Sequence, residues 1–117
     1  MIAKVFISQP MRDKTNEQIE AERARAIENI KKEYDNNDIK IIDSFFKDAP
    51  HDAAPLWFLG KSFELLSTAD VAYFVKGWEK YRGCSMEFQA CRSYHIPCFV
   101  EQDDEITYLL NEEGEIL

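Results

Sequence analysis

At 117 residues and 45% hydrophobic content, the chain is long enough to bury one core without disulfide or metal staples and too short to divide into two. Its 14 Lys and Arg stand against 22 Asp and Glu, for a net charge of −8, which excludes a molecule-wide positive field of the kind that draws nucleic acid or anionic membrane. No apolar run approaches the roughly 20 residues that span a bilayer, and the chain opens on a strand-like pattern with no basic-then-apolar leader, so a single cytoplasmic domain over residues 1–117 is expected.

Ala3 to Ser8 (AKVFIS) is a short apolar run that stops at Gln9-Pro10, where proline breaks a ladder, and it reads as a buried strand. Thr15 to Tyr34 places Ile19, Ala26, Ile27, Ile30 and Tyr34 near one face, with Thr15 or Asn16 available as a cap; this is an amphipathic helix. A turn cluster, Asp35 to Asp38, precedes a second strand over Ile39 to Phe45, so the opening unit is β-loop-α-β with a right-handed crossover. Lys47 to Ala54 lacks periodicity and reads as a loop. Pro55 then opens a helix that carries Leu56, Leu59, Phe63 and Leu66 toward a core.

Asp70 to Val75 is a third buried strand ending at Gly77, Cys84 to Tyr94 a third helix with Met86, Ala90 and Cys91 inward, and Ile96 to Val100 a fourth strand. Beyond Asp103 the chain is acidic, with a weak alternation over Ile106 to Leu110 that suits an edge strand or a partner-facing arm, and a turn at Gly114. Cys84, Cys91 and Cys98 are odd in number and seven residues apart, which fits reduced thiols and no zinc pattern. The alternation of strands and helices predicts an α/β three-layer sandwich around a mainly parallel sheet of four to five strands.

In such sheets ligands sit beyond the carboxyl ends of the strands, where strand order reverses. Chemistry-bearing residues cluster there: Ser8, Gln9, Met11 and Arg12 after the first strand, Asp43 at the end of the second, and Gly77, Trp78, Tyr81, Arg82 and Gly83 after the third. Glu87 falls at the start of the third helix, where it either complements the dipole or presents a carboxylate whose ionised form the helix N–H groups favour. Asp70 is either a turn residue or an acid placed for use. Ser8 and Arg12 flank a loop suited to phosphate or carboxylate, without a glycine-rich fingerprint. Trp78 and Tyr81, among Lys76, Lys80 and Arg82, either stack on a base or cap the sheet edge. Cys84, at the same helix start, is a further nucleophile candidate, although neither His51 nor His95 stands at a recognisable partner position.

The segments FISQPM (6–11), LLSTADVAYFVKGW (65–78) and RGCSMEFQACRSYHIP (82–97), with Glu87 four residues after Gly83, resemble the nucleoside 2-deoxyribosyltransferase superfamily, in particular its short phage- and prophage-type domains, which are related to the 2′-deoxynucleoside 5′-phosphate N-hydrolases. The resemblance runs nearly to Phe99. It implies a flavodoxin-like or Rossmann-like fold, a homodimer or larger homo-oligomer, a deoxynucleoside or deoxynucleotide substrate, and cleavage of the N-glycosidic bond without metal or organic cofactor. It implies Glu87 as the nucleophile that takes the sugar covalently, with an acid protonating the departing base; Asp70 and Tyr81 are carried with it as catalytic candidates. Six positions before Glu87, the family's transferases carry a base-contacting aspartate and its N-hydrolases a phosphate-binding serine, whereas this chain has Tyr81. A phenol is a poor base near neutrality, so hydrolysis is favoured over base exchange. A noncatalytic nucleotide-binding module on the same fold is the alternative.

Overall fold

The apolar runs and amphipathic stretches form five strands and three helices in a computed structural model that describes residues 2–34, 38–44, 50–103 and 105–109. In chain order they are β1 (Ala3–Ser8), α1 (Asn16–Glu33), β2 (Ile39–Ile41), α2 (Pro55–Leu66), β3 (Val71–Phe74), α3 (Arg82–Ser93), β4 (Cys98–Gln102) and β5 (Glu105–Leu109). The sheet order is β2-β1-β3-β4-β5; the first four strands are parallel, and β5 returns antiparallel along β4. This is the α/β, flavodoxin-like three-layer arrangement expected of the sequence. No described helix is long and apolar enough to cross a membrane.

Burial on both faces explains why the central strands read as unbroken apolar runs. Val5 and Ile7 of β1, with Val71, Tyr73 and Val75, pack against Ala26 and Ile30 of α1. Phe6, Ala72, Phe74, Cys98 and Val100 face the other way, onto Leu66, Trp78, Cys84 and Cys91. Successive strand residues point to opposite faces, so β1 serves both layers at once.

Local chemistry sets the element ends. Thr15 caps α1 in a capping box: its Oγ1 accepts from Gln18 N at 3.1 Å, and Gln18 Oε1 accepts from Thr15 N at 2.9 Å. Pro55 opens α2, as its fixed φ and missing N–H suit. That helix stops at Leu66, because the Ser67 and Thr68 hydroxyls donate to the carbonyls of Glu64 and Leu65. β4 begins at Cys98, two residues later than expected, since Ile96 N still donates to Cys91 O at the end of α3 and Pro97 has no N–H to give. β2 ends at Ile41; Ile42 N reaches Val5 O, but Arg23 of α1 then takes the Ile42 carbonyl at 3.0 Å and turns the chain. Phe45, most of the turn cluster at 35–38, part of the loop at 47–54, and Leu110 and Gly114 lie outside the described residues.

Two inward assignments are corrected. Leu56 is 75% exposed and Phe63 is also exposed, so of the residues expected to turn α2 to the core only Leu66 is buried. On α3, Met86 points outward, and the buried positions are Cys84, Glu87 and Cys91. The 3.6-residue repeat admits more than one apolar stripe on α2, and the packing uses a narrow one.

The α1 side of the sheet contains a buried carboxylate that the sequence does not announce. Glu101, near the end of β4, is ion-paired with Arg25, accepts from the Tyr73 hydroxyl at 2.5 Å, and accepts from Lys76 N at 3.2 Å. Asn29 Nδ2 donates to the same phenol oxygen at 2.9 Å. Burial raises the Tyr73 pKa above its ordinary range, and the hydrogen bond to Glu101 adds to this. Arg25 is half exposed, so the energetic weight lies with the buried hydroxyl rather than the ion pair. Glu101→Ala, which strands that hydroxyl and the Lys76 amide, should lower the unfolding free energy in urea by about 2–3 kcal/mol; a loss of under about 0.5 kcal/mol, the size of an ordinary surface change, would show that Glu101 is not a structural tie.

Candidate active site

Strand order reverses at β1, whose neighbours β2 and β3 are reached by crossovers on opposite faces, and a crevice opens at such a point beyond the carboxyl ends of the strands. Ser8 is the last residue of β1 and points to the α3 side. Its hydroxyl donates to Glu87 Oε1 at 2.8 Å, across 79 residues of sequence. Glu87 is 7% exposed. The Ser62 hydroxyl of α2 also acts on this carboxyl group, so three elements bear on it.

Glu87 lies farther along α3 than the sequence suggests. The helix begins at Arg82 with Tyr81 as its cap, which moves Glu87 into the second turn, beyond the free N–H groups. The expected helix-terminus stabilisation of its charge is therefore replaced by a different balance. Burial raises the Glu87 pKa, and the hydroxyls of Ser8 and Ser62 oppose that shift without cancelling it.

Cys84 lies one turn before Glu87, and the nearby Ser8 hydroxyl favours its thiolate only weakly against burial. Burial pushes this thiol up to about 11, with the Glu87 carboxylate adding to the effect of burial. A thiolate nucleophile at this helix start is thereby corrected to a neutral, packed thiol. His95 stands at the far end of α3 with φ 63°, and His51 lies in an exposed turn.

The loop after β1 carries the other half of the crevice. Gln9 is buried, and its Nε2 donates to the Ile19 carbonyl in the first turns of α1 at 2.5 Å; its Oε1 has no partner among the described residues. Met11 is half-buried and Arg12 exposed. The Tyr81 hydroxyl donates to Arg12 O at 3.3 Å, so Tyr81 bridges the loops that follow β1 and β3. Gly77 holds φ 91°, a left-handed conformation that a side chain would strain. A Cβ added at Gly83 would meet nothing within 4 Å, which leaves open space over the start of α3. Arg82 is exposed beside it. Asp43 is exposed at the end of the β2 segment, within electrostatic reach of Arg23.

Two sequence-stated candidates are not brought into this cluster. Asp70 sits at the amino end of β3, where it pairs with β1: its Oδ2 accepts from Lys4 N and its own N donates to Lys4 O, both at 2.8 Å. A proton donor for Glu87 cannot work from the opposite end of the sheet, and the turn role is the one it fills. Trp78 is buried, with its ring centroid 4.4 Å from Phe88 and 5.4 Å from Phe74; the indole packs as core rather than as a stacking platform. Conversely, Ser62 was not singled out. The available signal is a small hydroxyl four residues before Leu66, on the inward stripe of a mostly apolar helix whose charges, Lys61 and Glu64, pair with each other.

Compared with known proteins, the chain matches no family profile and no curated protein. A solved structure described as a conserved protein from Enterococcus faecalis V583 is similar to it, with a TM-score of 0.67 and 14% identity over 90% of this chain. The chain spans 66% of that protein's length. At that identity the likeness bears on the fold, which it supports.

The raised Glu87 pKa makes a signed prediction. Folded protein holds this proton more tightly than unfolded chain does, so stability falls as pH rises from the ordinary carboxylate value of 4.5 through the elevated one. Glu87→Gln abolishes that loss: relative to the parent, the variant should gain stability as urea unfolding is carried from about pH 4 to about pH 8. A stability difference that does not change with pH would refute the burial-raised carboxyl.

Proposed function

We propose that the protein cleaves the N-glycosidic bond of a 2′-deoxynucleoside or 2′-deoxynucleotide, with Glu87 as the nucleophile. The observation that carries this reading is the Glu87 carboxyl held beside Ser8 at the carboxyl end of β1, in the crevice where strand order reverses. A carboxylate steered by a fixed hydroxyl has one oxygen oriented and the other available, as attack on a sugar carbon requires. The free carboxylate oxygen attacks the anomeric carbon, the carbon–nitrogen bond breaks with its electron pair leaving on the base, and the base takes a proton from solvent. Water then adds to the anomeric carbon, loses its proton to solvent, and releases the carboxylate with free deoxyribose. The nucleophilic form is the ionised one, so activity rises with pH through the elevated Glu87 pKa.

Ser8 and Gln9 would border the sugar, the open space over Gly83 would admit it, and the exposed Arg12 and Arg82 would meet any phosphate. No metal or organic cofactor enters this scheme. Tyr81 donates its hydroxyl to a backbone carbonyl rather than holding a spare carboxylate, which favours hydrolysis over base exchange, because an incoming base needs an acceptor for its proton. The same feature is what a nucleotide-binding module without catalysis would have, and that is the second reading. Homo-oligomerisation belongs to the proposal as well, supported by Leu56, Phe63 and Met86 exposed on α2 and α3.

Incubation with a panel of deoxynucleosides and their monophosphates, scored for free base by chromatography, tests the reading. Base release should occur and should fall at least about a thousandfold in Glu87→Gln, the order expected when a covalent nucleophile is lost. Unchanged release in the variant would refute the role of Glu87, and calorimetric binding without release would leave the binding module.

With excess labelled base, free deoxyribose should form faster than labelled nucleoside, and Tyr81→Asp should move the ratio toward exchange. Faster labelled nucleoside in the unmodified protein would overturn the assignment of hydrolysis.

A further inference from the structure

At the end of the sheet away from Glu87, the last turn of α1, the start of β4 and the edge strand β5 border a cavity of about 420 Å³ lined by Glu33, Tyr34, Phe99, Ile106 and Tyr108. That volume lies within the range of small-ligand pockets, roughly 300–1,000 Å³. Three of its five lining residues are aromatic. Tyr34 and Phe99 stand nearly perpendicular, at 86° with centroids 6.3 Å apart, and Phe99 and Tyr108 lie 4.6 Å apart at 44°. Phe99 is itself buried with Tyr34 and Tyr108 packed against it, so the aromatic surface open to this space is mainly that of the two half-buried tyrosines.

Glu33 is the charged residue among the described residues that line this space; Lys31 and Lys32, in the same last turn of α1, are exposed and are not among them. Glu33 supplies a carboxylate, and the carbonyls at the end of α1 supply the negative end of the helix dipole. Asp70, held in place by Lys4 N at 2.8 Å, lies close enough to the Tyr34 phenol to act on it. Burial raises the pKa of both tyrosines, and for Tyr34 the neighbouring Tyr108, Glu33 and Asp70 add to it, so both phenols stay neutral with intact ring quadrupoles. Among the described residues no Lys or Arg lines the cavity. Aromatic faces attract cations, and quaternary ammonium groups best exploit several faces at once. A hard metal ion would instead need six or more oxygen ligands, far beyond what one lining carboxylate and two phenols offer.

We propose that this cavity binds a small organic cation with a methylated ammonium group, as a site separate from the Glu87 crevice. The aromatic faces supply the attraction, and Glu33 with the end of α1 supplies its sign.

The test compares choline with 3,3-dimethylbutan-1-ol, which has the same shape without the charge, by following amide and aromatic NMR shifts of the intact chain. Choline should give saturable shifts at Tyr34, Phe99 and Tyr108, and the neutral alcohol should bind at least roughly tenfold more weakly. Tyr108→Leu should weaken choline binding by roughly two- to thirtyfold, the span expected for one ring. Glu33→Gln, a change at an exposed position that leaves the core intact, should weaken it several-fold. Glu87→Gln should leave it unchanged, which separates this site from the proposed glycosidic cleavage. Equal binding of choline and the alcohol, shifts that do not saturate, or choline binding indifferent to both Tyr108→Leu and Glu33→Gln would overturn the proposal.

Discussion

β1 is buried on both faces, and the alternation of its residues runs without interruption from Val5 to Ser8 and on into Gln9 just beyond it. A strand so placed must deliver each side chain to one layer or the other, because a one-residue slip would exchange every contact. The apolar part of β1 therefore fixes where its last polar residues go. Ser8 is carried to the helix pair α2 and α3, where it meets Glu87, and Gln9 to α1, where it holds the Ile19 carbonyl. The candidate site is thus a by-product of core register, held by the packing of Phe6 and Ile7 immediately before it.

The two buried carboxylates among the described residues illustrate how surroundings divide labour between chemically equal groups. Glu101 is met by a guanidinium, a phenol and a backbone amide, a donor set that satisfies a charge and ties β3, β4 and α1 together. Glu87 accepts from the Ser8 hydroxyl, and the Ser62 hydroxyl also favours its charge, which orients the group without neutralising it. Burial then prevails, and its proton is held more tightly than an ordinary carboxylate would hold it. A group held in one orientation, with an under-compensated charge, is poised for chemistry in a way that the saturated Glu101 is not.

Much of the fold is legible in the sequence because its signals are local and repeated. The apolar run of β1, the capped stripe of α1, Pro55 at the start of α2 and the weak alternation of β5 each carry their own physical mark. The inward faces of α2 and α3 are less legible: Leu56, Phe63 and Met86 fit helical spacing as well as Leu66 and Cys91 do, and only the tilt of each helix against the sheet selects among them. Glu87 can be singled out from its place after the third strand, but its environment cannot, since Ser8 and Ser62 come from distant segments. Asp70 and Trp78 follow the same logic in reverse. Both types suit a site by chemistry, yet one is used by the β1–β3 pairing and the other by the ring cluster of Phe74 and Phe88.

The pairing of β1 with β3 has a consequence for the order in which the chain becomes structured. Lys4 and Asp70 are 66 residues apart in sequence yet exchange hydrogen bonds, and β1 pairs with β3 only after α1, β2 and α2 have intervened. During synthesis the first strand thus emerges long before its second neighbour, with one flank open and half its apolar surface uncovered. Contacts of such long sequence separation place a large loop-closure entropy ahead of the stabilisation they bring, which slows folding. The amino-terminal half therefore lacks the strand that covers the second edge of β1, and that pairing waits for the chain through Phe74.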